Sequence, residues 1–263
     1  MSAHRFPTVK RFGKSARTLG QPVFLAACIG LGLVEPFFNK ALAQLHPWGS
    51  DSISIVSGAS LTVLALWLLV RPSSRIAAFA LAGHWTLALV FTILAAAKAP
   101  PNALNWVPVS ETAVFVLASL ASSNKSGLPL SRMTDLRRPF AVTLIFYGLV
   151  HIFQRALIAG LIPAWIAGAE IWPWFTGSVM VAAGIALLAG RAVKVASLAI
   201  AAMFASWILV VHLGRIAGDP ANSFEWSFAL TALGLTGVAL LAMKSRPRVP
   251  LASAEPTVAQ AAS

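Results

Sequence analysis

The sequence predicts an all-α polytopic membrane protein: eight transmembrane helices arranged as two tandem four-helix bundles. Three observations lead there. Of the 263 residues, 58% are hydrophobic and only 11% are charged, against about 45–50% and about 25% in soluble domains. So few charges cannot cover so much apolar surface in water. Apolar runs of about 17–25 residues, the length that crosses a bilayer as a helix, recur eight times. The chain also resembles itself when shifted by 116 to 120 positions.

The runs are 21–44, 53–70, 75–97, 105–123, 138–159, 172–189, 192–214 and 225–243. In lipid such runs satisfy their backbone hydrogen bonds only as helices. Residues 1–20 read as a basic cytoplasmic N-terminus, 21–123 as the first repeat and 124–137 as a cytoplasmic linker. Residues 138–243 read as the second repeat, and 244–263 as a disordered cytoplasmic tail. Sixteen of the twenty Lys and Arg residues fall on the side of the bilayer that holds both termini. Lys40, Lys98, Arg155 and Arg215 fall on the other. The positive-inside rule then puts both termini in the cytoplasm. Trp48, Trp106, Trp165, Trp172, Trp174 and Trp226 lie near the outer ends, where an interfacial aromatic belt belongs. The formal charge of +12 is spread over the gaps between runs and forms no stripe, so the expected partner is the lipid bilayer and not a nucleic acid. Ala41-Leu42-Ala43 resembles a signal-peptide cleavage site, but Glu35, Pro36 and Lys40 separate it from the apolar run. The repeat makes span one a retained helix.

The repeat is legible residue by residue. At a shift of 116, Phe24, Gly32, Val34, Phe37 and Pro47 fall on Phe140, Gly148, Val150, Phe153 and Pro163. At 119 or 120, Gly58 falls on Gly177 and Trp106 on Trp226. Four spans per copy insert both copies the same way up, the parallel arrangement known from transporters. The second copy carries more polar chemistry: His151 stands where the first has Glu35, Arg155 where it has Asn39, and His212 where it has Thr92.

Ionisable groups at membrane depth are costly and mark functional sites by default. His151 and Arg155 are four residues apart, His212 and Arg215 three, so each pair shares a helical face. With Glu225 they are expected to meet near the outer face of the second copy. Two imidazoles and two guanidiniums suit a small anion or a quinone carbonyl, with Trp165 or Trp226 stacking on a ring. The plainer alternative has the arginines snorkelling to phosphates and the histidines capping helix ends. Glu35 and Glu111 are expected to pair with Lys40, Arg155 or a histidine. His84, in span three, reads as a packing residue before a haem ligand. Cys28 is alone and supports no dithiol chemistry of its own. No metal site is expected, nor any phosphate-binding loop. Gly30, Gly32, Gly184 and Gly190 are expected to permit close helix packing.

The stretch from Phe140 to about Ala242 resembles the DoxX-like family of membrane proteins. The resemblance rests on Gly148-Leu-Val-His151-Ile-Phe153, Leu161-Ile-Pro163-Ala-Trp165-Ile166 and Trp174-Phe-Thr-Gly177. Ala182-Ala183-Gly184-Ile-Ala-Leu-Leu188, Val211-His212-Leu-Gly-Arg215 and Glu225-Trp226 complete it. The first half looks like a diverged copy. The resemblance implies a four-helix membrane bundle per copy in the bacterial inner membrane, and for some members a role in quinone-linked oxidation. The chain departs from many relatives in being doubled and in having Ser178-Val-Met-Val where they carry a Glu soon after Gly177. The expected function is the membrane subunit of a quinone-linked oxidoreductase, with His151 and His212 handling protons. Arg155, Arg215, Glu225, Trp165 and Trp226 would bind the substrate. No intrinsic cofactor is expected beyond a bound quinone, so a periplasmic or membrane redox partner is implied. The alternatives are a small-solute carrier and a non-catalytic scaffold or assembly factor.

Overall fold

In a computed structural model, the structure describes residues 8–37, 51–123 and 135–243. The expected cleavage site at Ala41–Ala43, most of the 124–137 linker and the 244–263 tail lie outside the described residues, as do Lys40, Trp48 and the side chain of Glu35. Every described element is a helix or a turn. In order they are α1 (Thr8–Phe37), α2 (Asp51–Val70), α3 (Arg75–Ala96), α4 (Val107–Ala121), α5 (Arg137–Phe153), α6 (Arg155–Ala159) and α7 (Trp172–Leu188). α8 (Val193–Trp207), α9 (Leu213–Gly218) and α10 (Ser223–Ala242) follow. A 3-10 turn, Ala103–Trp106, leads into α4, and a π-helical turn, Ile208–His212, joins α8 to α9.

Four of these segments are long and apolar enough to cross a bilayer: Arg75–Ala96, Ala103–Ala121, Val193–Gly218 and Ser223–Ala242. Leu19–Val34, Ser54–Val70 and Trp172–Leu188 are apolar but shorter. Large apolar side chains also point outward, among them Val56, Val63, Val70, Ile76, Leu87, Val142, Ile185, Val195 and Leu209. A fold that turns Val, Ile and Leu outward along most of its helices suits contact with a lipid bilayer.

The helices follow the expected runs with three differences. α1 begins at Thr8, inside the expected N-terminal segment, because nothing from 9 to 19 breaks a helix: the stretch has no proline and mixes Lys and Arg with apolar residues. The fifth run breaks at Gln154, whose φ of −100° and ψ of 29° leave the helical region, so α6 is a separate turn. The seventh run contains the π turn.

The packing has α10 at its centre. It lies against α1 and α8 along much of its length, and against α4 and α5. α1 also packs on α2, α3 on α4, and α5 on α7. Small residues make these approaches, as expected where no water drives helices together. A β-carbon at Gly32 would stand 2.5 Å from the Gly58 carbonyl oxygen, across α1 and α2. One at Gly148 would stand 2.5 Å from the Gly177 carbonyl oxygen, across α5 and α7. Gly234 on α10 receives the ring of Phe115 from α4, against which Phe24 of α1 and Trp85 of α3 pack edge-on at 5.4 and 4.9 Å. Cys28 is fully buried beside them.

Gly184 packs as expected, its face closed by the Ala141 carbonyl. Gly190 has a different task. With φ of 68° it ends α7: its N–H donates to the Leu187 carbonyl and that of Arg191 to Ala186, at 3.1 and 2.9 Å. This is the Schellman ending that glycine serves best. Its missing side chain also leaves room for the buried Arg137, whose guanidinium reaches Asp135 at 3.5 Å.

Candidate functional site

The site lies at the end of the bundle where α3 hands over to α4 and α9 to α10. Both connections use one turn. In the first, Asn102 accepts from the Leu104 N–H at 3.1 Å, and the Trp106 indole N–H donates to the Pro100 carbonyl at 3.0 Å. In the second, Asn222 accepts from the Phe224 N–H at 3.1 Å, and the Trp226 indole N–H donates to the Pro220 carbonyl at 3.0 Å. The underlying pattern is Pro-x-Asn-x-x-x-Trp: Asn caps the next helix with its side-chain oxygen, and Trp closes the turn. The repeat shift pairs the two tryptophans, and the Pro and Asn at the same spacing carry the rest of the signal.

On the second turn stands an ionic group. Glu225, in the first turn of α10, is buried, its side chain 9% exposed. Its Oε2 accepts from the His212 Nδ1–H at 3.1 Å, and its Oε1 pairs with Arg215 at 3.2 Å. The start of a helix favours a carboxylate. The π turn sets the helical phase in which His212 and Arg215 both reach it; such turns recur at functional sites. His212 is 14% and Arg215 40% exposed, so the carboxylate anchors the group from within while Arg215 reaches outward. Among the described residues, Nε2 of His212 has no partner. The first turn has Thr92, Ala95 and Asn105 at the corresponding positions, and Asn105 only donates to the Ala99 carbonyl at 3.2 Å.

His151 belongs to a second group. Its ring stacks on Trp207 of α8, with centroids 5.3 Å apart and planes 17° apart. Near-parallel to it as well lies Tyr147, one turn earlier on α5, at 6.5 Å and 26°. The His151 Nδ1–H donates to the Tyr147 carbonyl at 2.9 Å, which leaves Nε2 as the free ring nitrogen. The Tyr147 phenol donates to the Glu111 carboxyl of α4. Glu111 therefore pairs with a phenol and not with Arg155 or a histidine. Tyr147 is the chain's one tyrosine; its spacing from His151, four residues on one helical face, was the available clue.

The expected site residues thus divide. His212, Arg215 and Glu225 meet. His151 joins Tyr147 and Trp207 instead, and among the described residues no hydrogen bond or ring contact links the two groups. The stretch from Trp207 through the π turn to His212 joins them along the chain. Arg155, at the start of α6, lies over the Trp174 ring at 5.8 Å, because the break at Gln154 takes it off the α5 face that carries His151. Trp165 is 75% exposed, and Trp226 is committed to its turn. The tryptophan that lies on a site histidine is Trp207, inside the apolar segment Val193–Gly218 and not among the tryptophans of the expected belt. In α2, the Ser60 hydroxyl donates to the Ser57 carbonyl at 2.7 Å, so the Nδ1–H of His84 on α3 donates to the Ser60 oxygen at 3.1 Å. No cluster of three or more His, Cys, Asp or Glu side chains converges as for a metal among the described residues. Compared with protein families, curated proteins and solved structures, the chain matches none.

Proposed function

We propose that the chain is an eight-span inner-membrane protein of two tandem four-helix DoxX-like repeats, both termini cytoplasmic. We further propose that it is the membrane subunit of a quinone-linked oxidoreductase, with its ligand site at the outer face of the second repeat. The repeat reading draws support from two pairs of equivalent contacts: Gly32 on Gly58 with Gly148 on Gly177, and the two Pro-x-Asn-x-x-x-Trp turns. One observation carries the functional reading. The second turn bears His212, Arg215 and Glu225, whereas the first closes in the same way on Thr92, Ala95 and Asn105. Closing the turn therefore needs no charge, and the charges answer to something else.

The residues fit a quinone headgroup by their donor sets. Glu225 orients both side chains: the outward-facing part of the Arg215 guanidinium remains to donate to a quinone carbonyl oxygen, and Nε2 of His212, whose Nδ1–H is on Glu225, remains to accept from a quinol hydroxyl. His151, held through Nδ1, offers Nε2 in the same way beside the flat faces of Tyr147 and Trp207. A bound quinone supplies two-electron, two-proton acceptance, and the electrons come from a periplasmic or membrane partner. The protein purified in mild detergent is expected to retain quinone, seen by extraction and mass spectrometry. His151→Ala and His212→Ala are each expected to lose quinone reduction with the helical circular dichroism intact. Undiminished reduction in both variants, or a protein free of quinone, overturns the reading.

A carrier is the second reading, favoured by the Glu111–Tyr147 bond, which joins a polar group of each repeat. It predicts solute uptake into proteoliposomes that Glu111→Gln abolishes. Uptake unaffected by that substitution dismisses this reading.

A further inference from the structure

We propose that the Glu111 carboxyl, paired with the Tyr147 phenol, is a proton-binding site at the seam between α4 and α5, one that takes up and releases a single proton. The proposal stands apart from the quinone reading and needs no ligand at the outer turn.

Glu111 sits inside the apolar segment Ala103–Ala121. Its hydrogen bond from the buried Tyr147 hydroxyl is the tie that crosses from α4 to α5. A carboxylate removed from water needs a counter-charge or several donors, or else a proton. Among the described residues no cation reaches Glu111 and one phenol does. α4 packs on α3, α5 and α10, and touches Phe24 of α1 through Phe115. The titratable groups on those elements are Arg75 and His84 on α3, and Tyr147, His151, Arg137 and Arg138 on α5. Glu225 stands on α10, and α1 carries Lys10, Arg11, Lys14 and Arg17 near its start, then Cys28 and Glu35. Among the described residues, only Tyr147 bonds to Glu111. Arg137 and Arg138 open α5 at its far end and pair with Asp135. Glu225 is held by His212 and Arg215, and His151 has its Nδ1 on a backbone carbonyl.

The fold does not need the pair to close the seam. The repeat shifts put Thr231 where Glu111 stands and Leu31 where Tyr147 stands. The corresponding seam, between α1 and α10, is closed by apolar groups, with Gly237 against Phe24 and Gly30 against Leu230. An acid and a phenol at the looser of two seams that the repeat shifts relate are there for their chemistry. Uptake forms one carboxyl O–H bond at the cost of one bond in hydronium. The phenol keeps its own proton throughout and serves as donor to the carboxyl oxygen, so no oxidant or reductant is required.

The test is pH-difference infrared spectroscopy on quinone-free protein in liposomes. The expected result is a carboxylic C=O stretch that appears and disappears with pH. It should be lost in Glu111→Gln, shifted in Tyr147→Phe through the missing phenol donor, and recovered at an altered position in Glu111→Asp. Circular dichroism establishes that each variant is folded; if Glu111→Gln does not fold, the shift in Tyr147→Phe and the displacement in Glu111→Asp decide. Difference spectra that coincide between the wild type and these variants overturn the proposal. Because quinone retention is measured separately, loss of either idea leaves the other standing.

Discussion

Replacing Gly148 with alanine is expected to separate α5 from α7 and to lower the melting temperature clearly. The new β-carbon would stand 2.5 Å from the Gly177 carbonyl oxygen and 3.0 Å from the Val181 nitrogen. Both are backbone atoms, so no rotamer change relieves the clash and one helix must move. Adding a methyl to a closed contact costs about 1–3 kcal/mol, and a larger side chain costs more because the whole interface opens. Moving α5 also displaces Tyr147 and His151, so the polar groups at the seam are disturbed with the packing. Gly32→Ala is expected to do the same between α1 and α2, where Gly58 and Thr62 crowd the position. Gly83 and Gly214 supply the control, since nothing lies within 4 Å of a β-carbon at either. Thermal unfolding in one detergent, followed by circular dichroism, checks the set. Equal melting temperatures for Gly148→Ala and Gly83→Ala would show that the glycine contact does not hold the bundle.

The second large effect concerns the ionic group. Removing both partners, His212→Ala with Arg215→Ala, leaves the Glu225 side chain buried without a partner. Orphaning a buried charge in this way costs about 3–5 kcal/mol. Copying the first turn into the second, His212→Thr, Arg215→Ala and Glu225→Asn together, is expected to return most of that loss. The Asn222 cap and the Trp226 indole bond remain, and Asn105 shows what an asparagine does at the Glu225 position. The stable triple variant should nevertheless retain no quinone. This separates stability from ligand binding, which single substitutions confound. Melting temperature and quinone content, measured on the same preparations, give the answer. A triple variant that is as stable as the wild type and still carries quinone would remove the outer turn from the site.

The sequence predicted much of the helical layout because length and polarity decide it. Runs such as 75–97 and 225–243 admit little but a helix in lipid, and helices stand at Arg75–Ala96 and Ser223–Ala242. Half of the site was legible for a similar reason. His212 and Arg215 share a face at a spacing of three, and Glu225 opens the next helix, so a short connection brings the three together. His151 was placed with them on depth alone. Depth is set by distance along a helix, but partnership is set by which face of which neighbour lies opposite, and that face is turned toward Trp207. Arg155 left the face of His151 because α5 breaks at Gln154, a change of backbone angle with no proline or glycine to announce it.

What composition and spacing determined by themselves was an all-helical chain suited to lipid, its doubled pattern, and the residues with chemistry to offer. These depend on local quantities: transfer of side chains out of water, helical rise and the reach of one turn. What only the tertiary structure decided was which of those residues meet. α10 packs at the centre against α1, α4, α5 and α8, Glu111 finds Tyr147 across a seam, and the π turn aims His212 at Glu225. Those outcomes depend on interhelical phase and on glycines that let backbones touch, and one missing methyl at Gly148 or Gly32 decides more there than any count of apolar residues.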